Sequence, residues 1–252
     1  MDRKTEDIMI KDLSAEDLIR LCRKDGYALR GCVSLAGMPG ESVCRDTVYA
    51  CLEDGISPEG LRAADACSAV GLGSALFFAF KQTGEKRRRE DLDEMHRVLK
   101  ARFSVGNDVP AEERVKAQPF FAEYDVLFGG RRDAAGSAAL FLKAHPLYAA
   151  GNSAPGWYLA SLIDTVDGMD EQIYEHYRAV ADLFRQAAVP KETNSALYIY
   201  ALLKGVRLCL LDGDLYQPVI KKAFSHLERD DPEGPGAYLL ALSEYRRQRW
   251  NY

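Results

Sequence analysis

The segment GNSAPGWY, residues 151–158, concentrates residue types that could bind a sugar or begin a helix. Trp157 and Tyr158 could form an aromatic platform for a sugar ring, although large aromatic side chains at helical spacing more often belong to a core. Asn152 and Ser153 are good N-terminal caps for a helix with a proline in its first turn. The residues leave two interpretations open, a binding rim and a helix start, and favour capping for Asn152 and Ser153.

Two adjacent glutamates and one histidine are further candidate site residues. Glu112 and Glu113 follow Pro110. They are expected in the first turn of a helix, where acidic side chains stabilise the helix dipole. His145 directly precedes a proline and is expected to end a helix. A ring that caps that helix and a ring that binds a ligand are equally compatible with its position.

Other reactive residue types lack the spacing that a known motif requires. The six cysteines contain no Cys-x-x-Cys pair and most lie in apolar helical runs, where a free thiol behaves as a small apolar group. The four histidines are scattered, and neither a glycine-rich phosphate loop nor a metalloprotease motif is present. We therefore predict buried thiols, and neither a metal ion nor another cofactor.

Composition limits the classes of partner. The chain has 252 residues, 47% of them apolar, and a net charge of −5, which argues against general binding to nucleic acid or to an anionic membrane. The basic run of residues 86–89 has acidic neighbours on both sides and is expected on a solvated helix face. Neither a signal peptide nor a membrane span is predicted, so we expect a cytoplasmic protein.

The elements that position these residues are predicted to be helices. Most apolar segments have helical spacing, and at four places a long apolar helix ends near a glycine and is followed by a polar helix. These glycines are Gly84, Gly129, Gly168 and Gly213. Glycine suits such a joint because a helix often ends with one residue at positive φ. The pattern predicts a chain of helical hairpins that repeats about every 40 residues.

The hairpins have a consistent asymmetry that favours a toroid over an open solenoid. The helix before each glycine is rich in alanine, glycine and aromatic residues, whereas the helix after it carries most of the charge. We predict an all-α fold in which one helix of each pair lies inside an (α/α) toroid. Residues 1–252 are expected to form one domain, with an irregular part at about 27–58 that covers the end of the barrel.

Four segments resemble one known family. They are AVGLGSALFFAFKQTGE (69–85), QPFFAEYDVLFGG (118–130), PGWYLASLIDTVD (155–167) and SALYIYALLKGVRLCLL (195–211). In this order they resemble helices of the unsaturated rhamnogalacturonyl hydrolases, which are related to the unsaturated glucuronyl hydrolases. The resemblance covers about residues 69–227 and implies a six-hairpin (α/α) barrel. It also implies removal of an unsaturated uronyl sugar from a pectin fragment, and a fold-maintaining role for Tyr198, Tyr200, Lys204 and Arg207.

The resemblance also implies positions for the site, with several departures. An aspartate of the family protonates the double bond of the sugar, and Glu112 and Glu113 occupy the matching positions here. Asp65 is the best match for a second acid. The family's substrate-binding arginine is replaced by Ser153, and its His-Gly-Trp-Asp loop survives only as the segment that begins at His145.

Two functions of different classes follow from these observations. The first is a shortened glycoside hydrolase that uses Glu112 or Glu113 as acid and base, with His145, Asn152, Trp157 and Tyr158 on the sugar. The second is a non-catalytic relative that binds carbohydrate or another protein. We count four hairpins rather than six and so expect an incomplete toroid. Its exposed apolar flank would favour a homodimer.

Overall fold

The computed structural model describes residues 13–53, 57–103, 108–130, 134–150, 154–169, 174–191, 193–227 and 233–250. Within these ranges every regular element is helical. The helices are α1 (Ala15–Lys24), α2 (Gly26–Ala36), α3 (Ser42–Glu53), α4 (Pro58–Ala63), α5 (Ala66–Thr83), α6 (Lys86–Phe103), α7 (Ala111–Lys116), α8 (Gln118–Tyr124), α9 (Ala134–Tyr148), α10 (Gly156–Gly168), α11 (Tyr174–Ala187), α12 (Ala196–Arg207), α13 (Gly213–Phe224) and α14 (Gly234–Trp250). None of these helices is long and apolar enough to cross a membrane.

Six of the described helices form a closed inner ring. In order around the ring they are α2, α5, α8, α10, α12 and α14, and α14 packs extensively against α2 to close it. The contact between α5 and α8 is the smallest of the ring, and the short helix α7 contacts α5, α8 and α10 beside it. The remaining long helices pack outside. The predicted all-α toroid is therefore confirmed.

Two details of that prediction are wrong. The inner ring is complete rather than open, because α2 and α14 supply the two helices that the count of four hairpins omitted. Residues 27–58 are mostly helical rather than irregular, since α2 and α3 occupy most of them. Gly31, and Gly26 just before this region, are packing positions, whereas a Cβ at Gly37 or Gly40 would meet no atom within 4 Å. A Cβ at Gly26 would lie 2.1 Å from the carbonyl oxygen of Cys67, and one at Gly31 would lie 3.0 Å from Leu239 Cγ.

The first two predicted hairpin joints contain a left-handed glycine. Gly84 ends α5 with φ +66°, as expected for a helix C-terminus. At the second joint the left-handed residue is Gly130, with φ +65°, rather than Gly129. The shift of one residue arises because α8 continues into a π-helix over Asp125–Gly129, which adds residues before the turn.

The other two joints are built differently. Gly168 is the last helical residue of α10, and a Cβ there would lie 3.2 Å from the backbone nitrogen of Glu123. The absence of a side chain at Gly168 therefore permits α10 to approach α8. Gly213 is the first residue of α13, and the positive φ of that joint, +57°, falls on Cys209.

Five of the inner helices, α2, α5, α10, α12 and α14, begin at the same end of the ring, whereas the first turn of α8 lies nearer the other end, where Pro119 and Phe120 line a cavity. Near the first residues of those five helices, a Cβ at Gly26 would contact Cys67, a Cβ at Gly156 would contact Ser195, and a Cβ at Gly236 would contact Asp25. These neighbours lie at the starts of α5, α12 and α2, so successive starts are adjacent. We call this end the N-terminal face and the opposite end, where these five helices finish, the C-terminal end.

Candidate functional site

Two predicted catalytic residues meet at the start of α5 on the N-terminal face. Glu113 Oε2 accepts a hydrogen bond of 2.8 Å from the backbone N–H of Ala66. Asp65 Oδ1 accepts one of 2.8 Å from the N–H of Ser68. Both carboxylates therefore satisfy backbone groups that the first turn of a helix leaves without intrahelical partners.

The third predicted acid belongs to an ion pair beside them. Lys116 Nζ lies 2.5 Å from Glu112 Oε1 and 4.0 Å from Glu113 Oε1. The same ammonium group is 5.2 Å from the centre of the Trp157 ring system. One cation thus connects the two glutamates of α7 with the first turn of α10, which is the part of the chain that the sequence marked as a possible rim.

The predicted substrate-binding residues of α9 and α10 continue this group. Tyr148 packs edge-on against Trp157 with ring centroids 4.9 Å apart. His145 Nδ1 lies 3.1 Å from the hydroxyl of Tyr158. Burial lowers the pKa of His145, which favours its neutral ring. Tyr158 is fully buried, as expected for a core residue, whereas Trp157 is half-buried.

Asn152 and Ser153 lie outside the described residues, so their capping and binding roles stay predictions. In the described part, Pro155 occupies the position before α10 and makes no side-chain capping bond. The structure therefore brings Asp65, Glu112, Glu113 and the aromatic residues to one face. Their catalytic and substrate-binding roles also stay predictions.

A cavity of about 450 Å³ opens at the C-terminal end of the inner ring. All six inner helices contribute to its wall. We call it the C-terminal cavity. Its charged lining residues are Arg30, Lys81, Glu123, Asp164, Asp167, Lys204, Glu244 and Arg247.

Asp164 is the most constrained carboxylate of the C-terminal cavity. Its side chain is almost completely buried and contacts the guanidinium group of Arg30. It also accepts hydrogen bonds of 2.8 Å from Lys204 Nζ and 2.5 Å from the hydroxyl of Tyr200. Burial alone would raise the pKa of Asp164, but the charges of Arg30 and Lys204 outweigh it and lower the pKa. Asp164 is thereby held ionised.

A second set of ion pairs extends this network. Lys204 Nζ is 2.7 Å from Asp167 Oδ2, and Arg207 contacts both Asp167, at 3.8 Å, and the buried Glu244. Burial opposes ionisation of Asp167, yet the neighbouring charge of Lys204 lowers its pKa. The network joins α10, α12 and α14 at their C-terminal ends.

Glu123 differs from these aspartates. Its Oε1 lies 2.7 Å from Lys81 Nζ. Burial in the cavity wall nevertheless raises the pKa of Glu123, because one ammonium group does not offset the loss of water and the nearby Asp167 adds to the effect. The cavity therefore combines a carboxyl group that favours its protonated form with carboxylates that favour ionisation. Such divergence is typical of acid and base groups in sites.

The sequence contained a signal for this network that did not identify a site. Tyr200, Lys204 and Arg207 are spaced as one face of a helix, and Asp164 and Asp167 are spaced as one face of another. The role in fold maintenance that the resemblance implied for α12 agrees with the buried contacts of Tyr200 and Lys204. The participation of Arg30 and Glu123 has no local signal.

Comparison with known proteins gives structural neighbours without sequence relatives. No family model matches the sequence, and no curated protein matches it. A solved structure of a polysaccharide lyase has a TM-score of 0.67 at 13% identity, covering 95% of this chain and 99% of the lyase chain. A glycosyl hydrolase family 88 protein from Bacteroides vulgatus has a TM-score of 0.60 at 13% identity, covering 93% of this chain and 99% of that chain.

This chain has the helical toroid fold of those two proteins. The resemblance expected from the four sequence segments is confirmed at the level of the fold. An identity of 13% does not carry residue roles from either neighbour to this chain. Within the described residues, no group of three or more potential metal ligands comes together.

Proposed function

We propose that this protein binds or acts on oligosaccharides that carry a uronyl group, and that it does so at the N-terminal face. The observation that carries the proposal is the position of Lys116 between Glu112 and Trp157. A cation beside a half-buried aromatic ring suits a sugar with a carboxylate, because the two groups can contact its charge and its apolar face. Lys116 thus supplies a positive charge near the segment where Ser153 replaces the family's arginine.

In the catalytic form of this proposal, Glu113 is the acid. Its Oε2 is held by the N–H of Ala66, and its Oε1 is 4.0 Å from Lys116 Nζ. A carboxyl group fixed at one oxygen can present the other to a substrate. It would protonate the unsaturated bond of the uronyl ring and help water add to it. Glu112 is the alternative acid, and Asp65 stabilises the start of α5 beside them.

A non-catalytic binding protein is the second candidate, and one observation favours it. Each of the three predicted acids already has a structural partner: Glu113 and Asp65 accept backbone N–H groups, and Glu112 pairs with Lys116. These contacts give each carboxylate a structural role that does not require proton transfer. Sugar binding through Lys116 and Trp157 requires only that Lys116 exchange one carboxylate for another.

The test uses unsaturated galacturonyl-rhamnose and follows the ultraviolet absorbance of its double bond. If the protein is a hydrolase, the absorbance falls, and Glu113→Gln or Glu112→Gln abolishes the fall. Glu90→Gln is the matched control, since Glu90 is a surface carboxylate paired with Lys86 at 3.0 Å on the outer helix α6. Loss of absorbance that both Glu112→Gln and Glu113→Gln leave unchanged would refute the catalytic assignment.

Calorimetric titration with the same disaccharide distinguishes the second candidate. Binding without consumption, weakened at least tenfold by Lys116→Met and unaffected by Lys86→Met, would identify a binding protein. A charged hydrogen bond to a carboxylate is worth enough free energy to produce such a change. Neither consumption nor binding at millimolar concentrations would refute the proposed function as a whole.

We also propose a homodimer and a cytoplasmic location. The support for a dimer is the exposure of Leu142 and Leu147, which are 54% and 71% accessible on the outer helix α9. Light scattering of wild type and of Leu147→Lys tests it: a dimer through α9 dissociates in the variant, and a monomeric wild type refutes it. Fractionation of cells that produce the protein tests its location.

A further inference from the structure

The C-terminal cavity contains a cation that has no ion-pair partner in the described part of the chain. Arg30, Lys81 and Lys204 all form ion pairs at its wall, whereas Arg247 has no hydrogen bond and no ion pair within 4 Å among the described residues, and its charge helps to lower the pKa of Asp167. Its side chain nevertheless belongs to the lining. An arginine in a concave wall with its donors unused is well placed to receive an anion, because its planar fork matches a carboxylate.

A second polar group of the same wall lacks a hydrogen bond. Ser34 lines the cavity from α2, and its hydroxyl oxygen is buried and forms no hydrogen bond within the described residues. Leaving a buried hydroxyl unpaired is unfavourable, so native proteins usually supply a partner for it. A ligand hydroxyl in the cavity would do so.

The remainder of the wall limits the chemistry of the ligand. Phe77, Phe78 and Phe120 provide an apolar surface of the kind that packs on the C–H face of a sugar ring. The four cations of the lining face four carboxylates, which are Glu123, Asp164, Asp167 and Glu244. The hydroxyl groups of a sugar acid can donate hydrogen bonds to these carboxylates. A phosphate dianion would bring a second negative charge close to them, so a monoanion with several hydroxyl groups fits the wall better.

We infer that the C-terminal cavity is a binding site for a sugar acid of one or two rings, whose carboxylate pairs with Arg247. The volume of about 450 Å³ lies within the range of small-molecule sites and accommodates such a ligand. Ser34, Asp164 and Asp167 face its hydroxyl groups. The site lies at the opposite end of the inner ring from Lys116 and Trp157, so it does not depend on the function proposed for the N-terminal face.

Calorimetric titration with D-galacturonate and D-glucuronate tests the inference, with D-galactose and inorganic phosphate as comparison ligands. Wild type is expected to bind at least one sugar acid, and Arg247→Gln is expected to weaken that binding tenfold or more. Arg247→Lys keeps the charge and should retain part of the affinity. Arg246→Gln is the matched control, because the neighbouring Arg246 pairs with Glu41 at 2.8 Å and does not line the cavity.

The outcomes separate this site from the N-terminal face. Lys116→Met should leave the binding of the monosaccharide acids unchanged if they occupy the C-terminal cavity. Binding that responds to Lys116→Met but not to Arg247→Gln would overturn the inference and place the ligand at the other end. Equal affinity for phosphate, or no binding of either sugar acid by folded wild type, would also overturn it. Circular dichroism of each variant confirms that it is folded.

Discussion

The two ends of the inner ring contain similar acidic residues in different chemical settings. At the N-terminal face, Asp65 and Glu113 accept backbone N–H groups at the start of a helix. At the C-terminal end, Asp164 and Glu244 are paired with side-chain cations. Helix starts offer free N–H groups and a positive dipole end, whereas helix ends offer neither. Because five of the inner helices begin at the same end, this asymmetry accumulates over the ring and determines how each end neutralises its carboxylates.

The carboxylates at the two ends also differ in burial and in the free energy that is lost when one of them is removed. The side chain of Glu113 is 22% exposed, so water shares in its solvation. That of Asp164 is 4% exposed and depends on its protein partners. The N-terminal face can therefore lose a carboxylate with modest effect, whereas removal of one from the C-terminal network leaves buried cations without compensation.

The largest expected effect is that of Asp164→Ala. Removal of this carboxylate leaves Arg30 and Lys204 partly uncompensated in a buried setting, and we expect a loss of about 3–5 kcal/mol in the free energy of unfolding. Urea denaturation measures it. Asp167→Ala, at a side chain that is 36% exposed, should cost clearly less. Equal losses of stability in the two variants would contradict the argument that the deeper burial of Asp164 makes its removal more costly.

A steric test compares a glycine at each end. A Cβ at Gly26 on the N-terminal face would collide with the backbone of Cys67 at 2.1 Å, so Gly26→Ala should destabilise the protein by about 1–3 kcal/mol. Gly37 borders the C-terminal cavity, has a negative φ, and has no neighbouring atom within 4 Å of the position that a Cβ would occupy. Gly37→Ala should change thermal stability little. If Gly37→Ala and Gly26→Ala lower the stability equally, the steric collision at Gly26 does not explain its loss of stability.

Removal of the cap of α5 should have a smaller effect. Glu113→Ala deletes the acceptor for the N–H of Ala66, and loss of such a cap costs about 1 kcal/mol. Glu113→Gln keeps a carbonyl oxygen and should recover much of that stability. Thermal denaturation of both variants measures the difference. A different outcome is that Glu113→Gln is as unstable as Glu113→Ala but retains full activity. Glu113 would then have a structural role that requires its negative charge, and no catalytic role.

The smallest expected effect concerns the pH dependence of Glu123. Its pKa is raised in the folded protein, so its contribution to stability is fully present below the unfolded value of about 4.3 and is lost as the pH rises through the folded pKa. Relative to Glu123→Gln, wild type should therefore be more stable near pH 4 than near pH 7, by a difference of about 1 kcal/mol or less. Urea titrations across this range measure it. A difference that grows with pH would show that the pairing with Lys81 outweighs burial.

The sequence predicted most of the helices because a helix depends on residues that are close together in the chain. The apolar spacing of α5, α10 and α12 was visible directly, as was the left-handed Gly84. The sequence did not predict the cavity, because the contact of Arg30 with Asp164 joins residues 134 positions apart.

The sequence by itself determined most of the helical segments outside residues 27–58, their alternation between inner and outer positions, and the acidic residues at their starts. A helix and its cap involve groups within about four residues, so local sequence suffices for them. Only the tertiary structure decided that six inner helices close the ring and that α2 and α14 complete it. It also decided that the charges of Arg30, Asp164 and Lys204 meet. Ion pairs between helices depend on how those helices pack, and packing is set by contacts between distant parts of the chain.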